Sequence, residues 1–275
     1  MQENPYLELA VAGSGAIATG LAALASVRSE TVWLLARSQE SADNAMVTVE
    51  KTCGRIDGAD ASCVRATTDP GDLGGAQLVV EAIIEDHDAK TALLGTVARL
   101  APDADLATTT SSLSVAGIGK ECGFGERLIG LHVFNPVPVM NLVEICAPEG
   151  VDPGVSERAH KWCRAMGKTS VDVPDTPGFV VNRLLFPYLF DAVRLQERTS
   201  MPPEDVDTCM TLGVAHPMGP LALLDLIGLD VSLAIGTAIH ADTGNDDHRP
   251  PDVIAEKVEA GELGRKSGRG FYEYT

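Results

Sequence analysis

The start of the chain holds the pattern that most limits its fold, because an apolar segment, a glycine turn and an alanine-rich segment follow one another directly. Residues 7–12 predict a β-strand, and residues 21–26 predict part of a helix. Between them, Gly13 permits a tight turn, Gly15 lets a phosphate approach the backbone, and the small Ala18 lets the helix pack close to the strand. This context predicts a dinucleotide site. The alternative is a glycine turn that binds nothing.

Two sets of residues would contact the dinucleotide. The N–H groups of Ala16, Ile17 and Ala18 lie at the start of the helix and would face the pyrophosphate. An acidic residue usually follows the second strand and holds the ribose hydroxyls, but here Ala36-Arg37-Ser38 follows the predicted strand at 31–35. Because arginine and serine can hold a 2′-phosphate, the sequence favours NADP(H) over NAD(H). The alternative is that Arg37 only stacks on the adenine or points into water.

Strands and helices alternate through the first two thirds of the chain. Besides the two strands already named, the sequence predicts strands at 64–67, 77–81, 105–109 and 169–173, and a helix at 88–100. This alternation predicts an α/β fold with a Rossmann-type, doubly wound parallel sheet. Right-handed crossovers bring the carboxyl ends of the strands to one edge, where ligands bind in such sheets. Glu81 and Ser111 lie at such ends.

A change of pattern divides the chain in two. Residues 174–178 contain two prolines and predict a linker, so we expect a dinucleotide-binding domain at 1–176 and an all-helical domain at 177–275. Residues 179–196 are apolar on nearly every face, which predicts a buried helix. Residues 221–239 predict one further helix with a single apolar stripe.

The segment Leu128–Cys146, LIGLHVFNPVPVMNLVEIC, carries the most distinctive chemistry. It predicts two short strands joined by the turn Asn135-Pro136-Val137-Pro138, since proline fixes φ and excludes the preceding residue from the helical region. Such a hairpin would bring His132 and Glu144 together. A carboxylate that holds one ring nitrogen fixes the histidine tautomer and leaves the other nitrogen as a base. The alternative is a purely structural pair.

Charge and composition exclude several classes of function. The net charge of −18 argues against non-specific nucleic-acid binding and against an anionic membrane surface. No apolar run of membrane-spanning length and no signal peptide are recognised. The six cysteines form no CxxC pair and no Cys/His spacing typical of zinc. We therefore expect a cytoplasmic protein with reduced thiols and no metal.

Seven stretches together resemble the L-3-hydroxyacyl-CoA dehydrogenase family, which includes the bacterial 3-hydroxybutyryl-CoA dehydrogenases. They follow the family order over nearly the whole chain, and the HxFNPxPxMxLVE and PGFxxNR elements are specific. The stretches are GSGAIATG (13–20), VVEAIIE (79–85), TSSLS (110–114), GLHVFNPVPVMNLVEI (130–145), DTPGFVVNRLLFPYL (175–189), GVAHPMGPLALLDLIGLD (213–230) and GRKSGRGFYEY (264–274).

The resemblance implies a catalytic set. His132 would be the general base that removes the proton of the 3-hydroxyl group, and Glu144 would orient and stabilise it. Ser111 would hydrogen-bond the reacting oxygen, and Asn182 would hold the substrate or the histidine region. The reaction would interconvert L-3-hydroxyacyl and 3-oxoacyl thioesters of coenzyme A, with short acyl chains such as 3-hydroxybutyryl favoured.

The resemblance also implies contacts outside this set. Glu85 and Lys90 match family positions near the ribose and nicotinamide of the cofactor. The C-terminal helical domain would bind substrate and form a homodimer, since a family interface would cover its surplus apolar area. The alternative is that the helices bury one another within the monomer.

Three departures from the family pattern bear on the ligands. Ala36-Arg37 replaces the usual acid, Thr109 replaces the usual asparagine, and the segment 37–67 is short and offers few cations. A weak basic clamp on the CoA nucleotide leaves an acyl carrier protein as an alternative carrier. A free hydroxy acid is the rival substrate class, and a non-catalytic cofactor-binding structural protein is the rival from another class.

Overall fold

The N-terminal unit is built on a single eight-stranded sheet. The computed structural model describes residues 4–274 and divides the chain into two compact units, Met1–Asp175 and Thr176–Thr275, here called the N-terminal unit and the helical unit. The strands are β1 (Glu8–Ala12), β2 (Thr31–Leu35), β3 (Val64–Thr67), β4 (Leu78–Glu81), β5 (Asp105–Thr108), β6 (Leu128–Val133), β7 (Leu142–Cys146) and β8 (Thr169–Asp172).

The strand order is β3-β2-β1-β4-β5-β6-β7-β8, and every neighbouring pair is parallel except β6 and β7. The order reverses between β1 and β4, so a crevice opens at the carboxyl ends of these two strands. The predicted α/β, doubly wound fold is confirmed. The single antiparallel pair is the hairpin that carries His132 and Glu144.

Five helices cover this sheet. They are α1 (Ala16–Ala25), α2 (Gln39–Cys53), α3 (His87–Leu100), α4 (Val115–Cys122) and α5 (Pro153–Ala165). A serine or aspartate side chain caps the amino end of each of α2 to α5, as at Asp86 of α3. By contrast, Gly15 precedes α1 and has no side chain to cap it, so the first N–H groups of α1 are left for another acceptor. The sequence analysis did not predict α4 and α5.

Close packing fixes α1 against the β6–β7 turn. Helix α1 is nearly all small and buried, and a Cβ added at Gly20 would lie 2.9 Å from the Cβ of Val137. Contacts this short between a helix and a turn require glycine on the helix. The turn that joins the two strands of the hairpin is therefore seated directly on the helix that follows the glycine turn.

The helical unit contains α6 (Val181–Thr199), α7 (Pro203–Gly213), α8 (Pro220–Ile227), α9 (Leu229–Thr243) and α10 (Asp252–Glu259). Two expectations were wrong. Helix α6 buries one stripe that includes Phe186 and Phe190, but Leu184 on another face is 72% exposed. The single helix expected over 221–239 is two helices bent by 99°, because Gly228 has a φ of +104° that ends the first.

An aspartate in α8 anchors the end of the chain. The Asp225 carboxylate accepts hydrogen bonds from the N–H groups of Phe271 and Tyr272 at 2.9 Å each, and from the hydroxyl of Tyr274 at 3.0 Å. This buried carboxylate ties the C-terminal segment to the helical unit. Within residues 4–274, no single helix is long and apolar enough to span a membrane, although α8 and α9 pass that criterion together as a bent pair.

Candidate active site

The strands β6 and β7 hold His132 and Glu144 directly opposite each other. The antiparallel register pairs the two residues, and His132 Nδ1 lies 2.6 Å from Glu144 Oε2. Both side chains are buried, with residue exposures of 5% and 2%. Residues directly opposite each other in an antiparallel pair project to the same face of the sheet. The structure thus brings together the two residues that the sequence placed on one hairpin.

The hydrogen bond defines what the imidazole can do. A carboxylate acceptor at Nδ1 keeps the proton on that nitrogen, so Nε2 is the basic nitrogen of the neutral ring. The ring of Phe134 meets His132 edge-on, with centroids 4.6 Å apart and an interplanar angle of 63°. Packing and hydrogen bonding therefore fix the imidazole orientation. This arrangement suits a general base that is protonated in the reaction.

A second carboxylate organises the loop after β5. Glu85 Oε1 accepts hydrogen bonds from the Thr110 hydroxyl at 2.7 Å, the Ser111 N–H at 2.8 Å and the Ser112 N–H at 2.9 Å. The Ser111 hydroxyl lies 3.3 Å from the same oxygen. Burial would raise the pKa of Glu85, but the charge of Lys90 and these hydrogen bonds outweigh burial and hold that pKa below its usual value. The Ser111 loop is consequently shaped around an ionised Glu85.

Lys90 lies beneath this carboxylate. It is fully buried, and its ammonium donates to Glu81 Oε1 at 2.8 Å and lies 3.4 Å from Glu85 Oε2. Glu81 is itself fully buried and accepts further bonds from the Thr108 hydroxyl at 2.6 Å and the Ile83 N–H at 2.7 Å. The Lys90 ammonium therefore lies between two carboxylates. Only one of them, Glu85, is partly exposed and contacts the Ser111 loop.

Glu81 is a residue whose role the sequence analysis missed, although it placed Glu81 at a strand end. The available signal was an acid inside the apolar run 78–83. A buried carboxylate requires a buried cation or several donors, and Lys90 supplies the cation. The Lys90–Glu81 pair thus stabilises the buried region beneath the Ser111 loop.

The glycine turn has the shape that a phosphate needs. Gly13 has a φ of +145°, and a Cβ there would lie 2.3 Å from the carbonyl oxygen of Ala82 and 3.3 Å from the Cβ of Ala18. A Cβ at Gly15 would meet no atom within 4 Å. Together with the first N–H groups of α1, those of Ala16 and Ile17, this open backbone fits the pyrophosphate of a dinucleotide.

The end of β2 carries Arg37, which is exposed. Among residues 4–274 it has no hydrogen-bond or ion-pair partner. The adjacent Ser38 is engaged differently, because its hydroxyl caps α2 by accepting from the Ser41 N–H at 3.2 Å and donates to the Ser41 hydroxyl at 3.0 Å. Of the two residues expected to hold a 2′-phosphate, only Arg37 extends an uncommitted donor group.

Two further results complete the inventory of site residues. Asn182 lies near the start of α6 in the helical unit and is buried. No group of three or more His, Cys, Asp or Glu side chains in the described part of the chain could hold a metal ion.

Comparison with known proteins gives consistent matches over the whole chain. The model of the 3-hydroxyacyl-CoA dehydrogenase NAD-binding domain matches residues 8–176, and the model of the 3-hydroxyacyl-CoA dehydrogenase C-terminal domain matches residues 178–274. A probable 3-hydroxybutyryl-CoA dehydrogenase of Deinococcus radiodurans is 36% identical over 278 residues, which cover 98% of this chain and 100% of that protein.

Two solved structures are also similar. FadB2 of M. tuberculosis has a TM-score of 0.94 at 35% identity, and the match covers 98% of this chain and 99% of that chain. The (S)-3-hydroxybutyryl-CoA dehydrogenase of Ralstonia eutropha has a TM-score of 0.92 at 32% identity, with the same coverage of 98% and 99%. Both similarities extend across the N-terminal and helical parts of the sequence.

Proposed function

Because the chain belongs to the 3-hydroxyacyl-CoA dehydrogenase family, we propose that it is an oxidoreductase that interconverts L-3-hydroxyacyl-CoA and 3-oxoacyl-CoA. Short acyl chains such as 3-hydroxybutyryl are the favoured substrates, which the names of its relatives support. The observation that carries the proposal is the buried His132–Glu144 pair with its 2.6 Å hydrogen bond. A nicotinamide cofactor, when bound, supplies the hydride acceptor or donor.

His132 is proposed to move the proton. In the oxidative direction its Nε2 would take the hydroxyl proton, and a bound nicotinamide cofactor would accept the hydrogen on C3 with both of its electrons, so that the C–O bond would become a carbonyl. The positive charge that forms on the ring lies beside the Glu144 carboxylate, which stabilises it. In the reductive direction the same nitrogen returns the proton to the developing alkoxide.

Ser111 and Asn182 are proposed to bind the reacting part of the substrate. A hydroxyl that donates to the substrate oxygen stabilises negative charge as it develops. The Ser111 backbone is held by Glu85 at 2.8 Å while its hydroxyl has only a 3.3 Å contact with that acid, so the hydroxyl can turn to a ligand without loss of the loop. The buried Asn182 amide is proposed as a second donor.

The cofactor is proposed to be NADP(H) in preference to NAD(H). The open backbone at Gly13 and Gly15 and the first N–H groups of α1 would hold the pyrophosphate, and Glu85 would hold a ribose hydroxyl. The exposed guanidinium of Arg37 could bind a 2′-phosphate, whereas the acid usual at this position would repel one. Arg37 therefore favours NADP(H). Lys90 is proposed to act by holding Glu85 rather than by direct contact.

Coenzyme A is proposed as the acyl carrier in preference to a carrier protein. Carrier proteins are acidic, and a chain of net charge −18 would repel one. Helix α2 and the segment after it offer Lys51 and Arg55 as exposed cations, while the Arg65 guanidinium stacks over the Trp33 ring at 5.7 Å. Two exposed cations suit one nucleotide phosphate better than a protein surface.

A homodimer formed through the helical unit is also proposed. Leu184, Leu212, Val214 and Leu226 are exposed there, Leu212 by 82%. An apolar cleft of about 630 Å³ lies between α6 and α8 and includes Leu184 and Leu226 in its wall. Exposed apolar area of this kind favours a protein partner. Sedimentation velocity should show a dimer that Leu184→Glu weakens and that the control Val47→Glu, on exposed α2, leaves intact.

The cytoplasm is proposed as the location. All six cysteines are free thiols, and four of them are buried. Unpaired thiols are typical of reducing compartments.

The activity is tested directly with acetoacetyl-CoA and each reduced cofactor. We expect oxidation of NADPH, and more slowly of NADH, with formation of 3-hydroxybutyryl-CoA of a single configuration. A chain that binds either cofactor but turns over no short or medium 3-oxoacyl-CoA would contradict the proposed reaction. Acetoacetate without CoA serves as the control for a free-acid dehydrogenase.

A further inference from the structure

The turn at residues 134–141 joins the strand that carries His132 to the strand that carries Glu144. It contains two prolines and forms few backbone hydrogen bonds, in which the N–H groups of Val139 and Met140 donate to the carbonyl of Pro136 at 3.0 Å each. The carbonyls of Val137, Pro138 and Met140 need other donors if they are not to face one another unpaired. The source of those donors is a side chain from outside the turn.

That side chain is Lys168. Its ammonium donates to the carbonyl oxygens of Val137 at 2.8 Å, Pro138 at 3.1 Å and Met140 at 2.8 Å, and the residue is 6% exposed. These three bonds use all three ammonium donors. No carboxylate of residues 4–274 forms an ion pair with it. Burial lowers the pKa of Lys168 from its usual value.

A buried ammonium held only by neutral carbonyls is costly, because removing a charge from water is unfavourable without a counter-ion. An apolar side chain of the same length would avoid that cost but leave three carbonyls without donors. A lysine at position 168 is therefore favoured over an apolar side chain only if the three carbonyls must be held in this arrangement, which means that the shape of the turn matters. The turn joins the strand of His132 to the strand of Glu144, so the shape of the turn affects how these two side chains are aligned.

Lys168 is itself rigidly mounted. Its N–H donates to the carbonyl of Cys163 at 2.8 Å, and the next N–H, of Thr169, donates to the carbonyl of Asn141 at 2.8 Å, where β8 begins to pair with β7. On the other side of the turn, Val137 sits against Gly20 of α1. The turn is thus held between the ammonium of Lys168 and the helix proposed to bind the pyrophosphate.

We propose that Lys168 is a positioning residue for the dehydrogenase reaction, which acts by fixing the 134–141 turn so that His132 stays aligned with Glu144 and with the α1 side of the site. Its kinetic consequence rests on the proposed function, whereas its structural consequence, the integrity of the His132–Glu144 hydrogen bond, does not. Lys168 touches no reacting atom in this assignment.

The central experiment compares Lys168→Met with the wild type and with Lys161→Met, which removes an exposed lysine of α5 in the same unit. Proton NMR follows the downfield signal of the His132 Nδ1 proton, assigned by its absence in His132→Gln. We expect Lys168→Met to fold and bind cofactor, to lose or broaden this signal, and to lower kcat about tenfold while KM for acetoacetyl-CoA changes less. Lys161→Met should match the wild type in all of these.

Rescue separates positioning from simple stability. Lys168→Arg retains a cation with several donors, so it should restore both the signal and most of kcat relative to Lys168→Met. If Lys168→Met does not fold, Lys168→Gln, which keeps two donors, takes its place with the same expected direction. A folded variant that keeps the Nδ1 signal and full kcat would overturn the inference. Absence of turnover in the wild type would refute the proposed function, while the NMR comparison would still test Lys168.

Discussion

The ammonium of Lys90 lies 2.8 Å from Glu81 and 3.4 Å from Glu85, so one buried cation serves two carboxylates of different exposure. Glu81 is fully buried, whereas the side chain of Glu85 is about one third exposed at 33%. The contact with Glu81 stabilises the buried residues beneath the Ser111 loop, and the contact with Glu85 helps to hold the loop itself. The two contacts can therefore be tested separately.

Removal of the cation should destabilise the chain strongly. Lys90→Met leaves the Glu81 carboxylate buried without a counter-charge, and we expect a loss of about 3–5 kcal/mol in the free energy of unfolding. Urea denaturation measures this loss. Lys120→Met, at an exposed position of α4, is the control and should stay within about 0.5 kcal/mol. A second change, Glu81→Gln in the Lys90→Met background, should recover part of the stability; no recovery would show that the charge is not the cause.

Glu85 should make stability depend on pH in the acid range. Its pKa is lowered from 4.5, because Lys90 and the Ser111 loop outweigh the effect of burial. Between the folded and unfolded pKa values, the unfolded chain binds more protons, so stability rises with pH in that window. The contribution is complete above the unfolded value and is lost as pH falls through the folded one. Relative to Glu85→Gln, the wild type should therefore gain unfolding free energy as the pH rises toward the usual carboxyl pKa of 4.5. Parallel curves for the two chains would contradict this assignment.

Loss of the imidazole should remove the proton acceptor without removing the binding site. His132→Ala should lower kcat by about 10²–10⁴-fold, the usual contribution of a general base, while cofactor affinity, measured by fluorescence titration, stays within about twofold. His160→Gln is the matched control, since His160 lies on α5 and bonds to Ser170 and Asp172 rather than to Glu144. A His132→Ala rate within about tenfold of the wild type would remove His132 from this role.

Charge reversal at the end of β2 should change the preferred cofactor. Arg37→Asp removes the proposed phosphate partner and adds a repulsive charge, and a charge-assisted hydrogen bond contributes about 1.5–3 kcal/mol. We expect kcat/KM for NADPH to fall by about 10–100-fold, with NADH affected little or improved. Arg28→Asp, an exposed position in the same unit, controls for the change in net charge. An unchanged NADPH to NADH ratio would show that Arg37 does not bind the phosphate.

The sequence predicted the parts of the fold that depend on local pattern. The strand at 31–35 and the one at 64–67 have the predicted limits. The pairing of His132 with Glu144 was also accessible, since a short turn between two strands leaves few registers. Where a single residue overrode the pattern, as Gly228 did, the prediction failed.

The remaining features depend on contacts that sequence spacing does not encode. Lys90 and Glu81 are nine residues apart on a helix and a strand, and Lys168 is 31 residues from Val137. Nothing local identifies these lysines as buried, because lysine is most often exposed. The burial of Lys90 follows from its place on α3 beside Glu81 of the sheet, and that of Lys168 from its contact with the turn between β6 and β7. The framework that supports the proposed base and the Ser111 loop was therefore visible only in the structure.

The cysteines should differ sharply in reactivity, because the thiolate is the reactive species and burial suppresses it. Burial raises the pKa of Cys146 and of Cys163 to about 12 each, with nearby Asp175 adding to the effect at Cys146. Cys209 on α7 is exposed. With an aromatic disulfide reagent at pH 8, we expect one thiol to react rapidly in the native chain and all six to react after denaturation. Cys209→Ser should abolish the rapid phase and leave activity unchanged, with Ser200→Ala as a control for change at an exposed site. Rapid reaction that persists in Cys209→Ser would assign it to the half-buried Cys63 or to a buried thiol that opens to solvent, and would contradict this prediction.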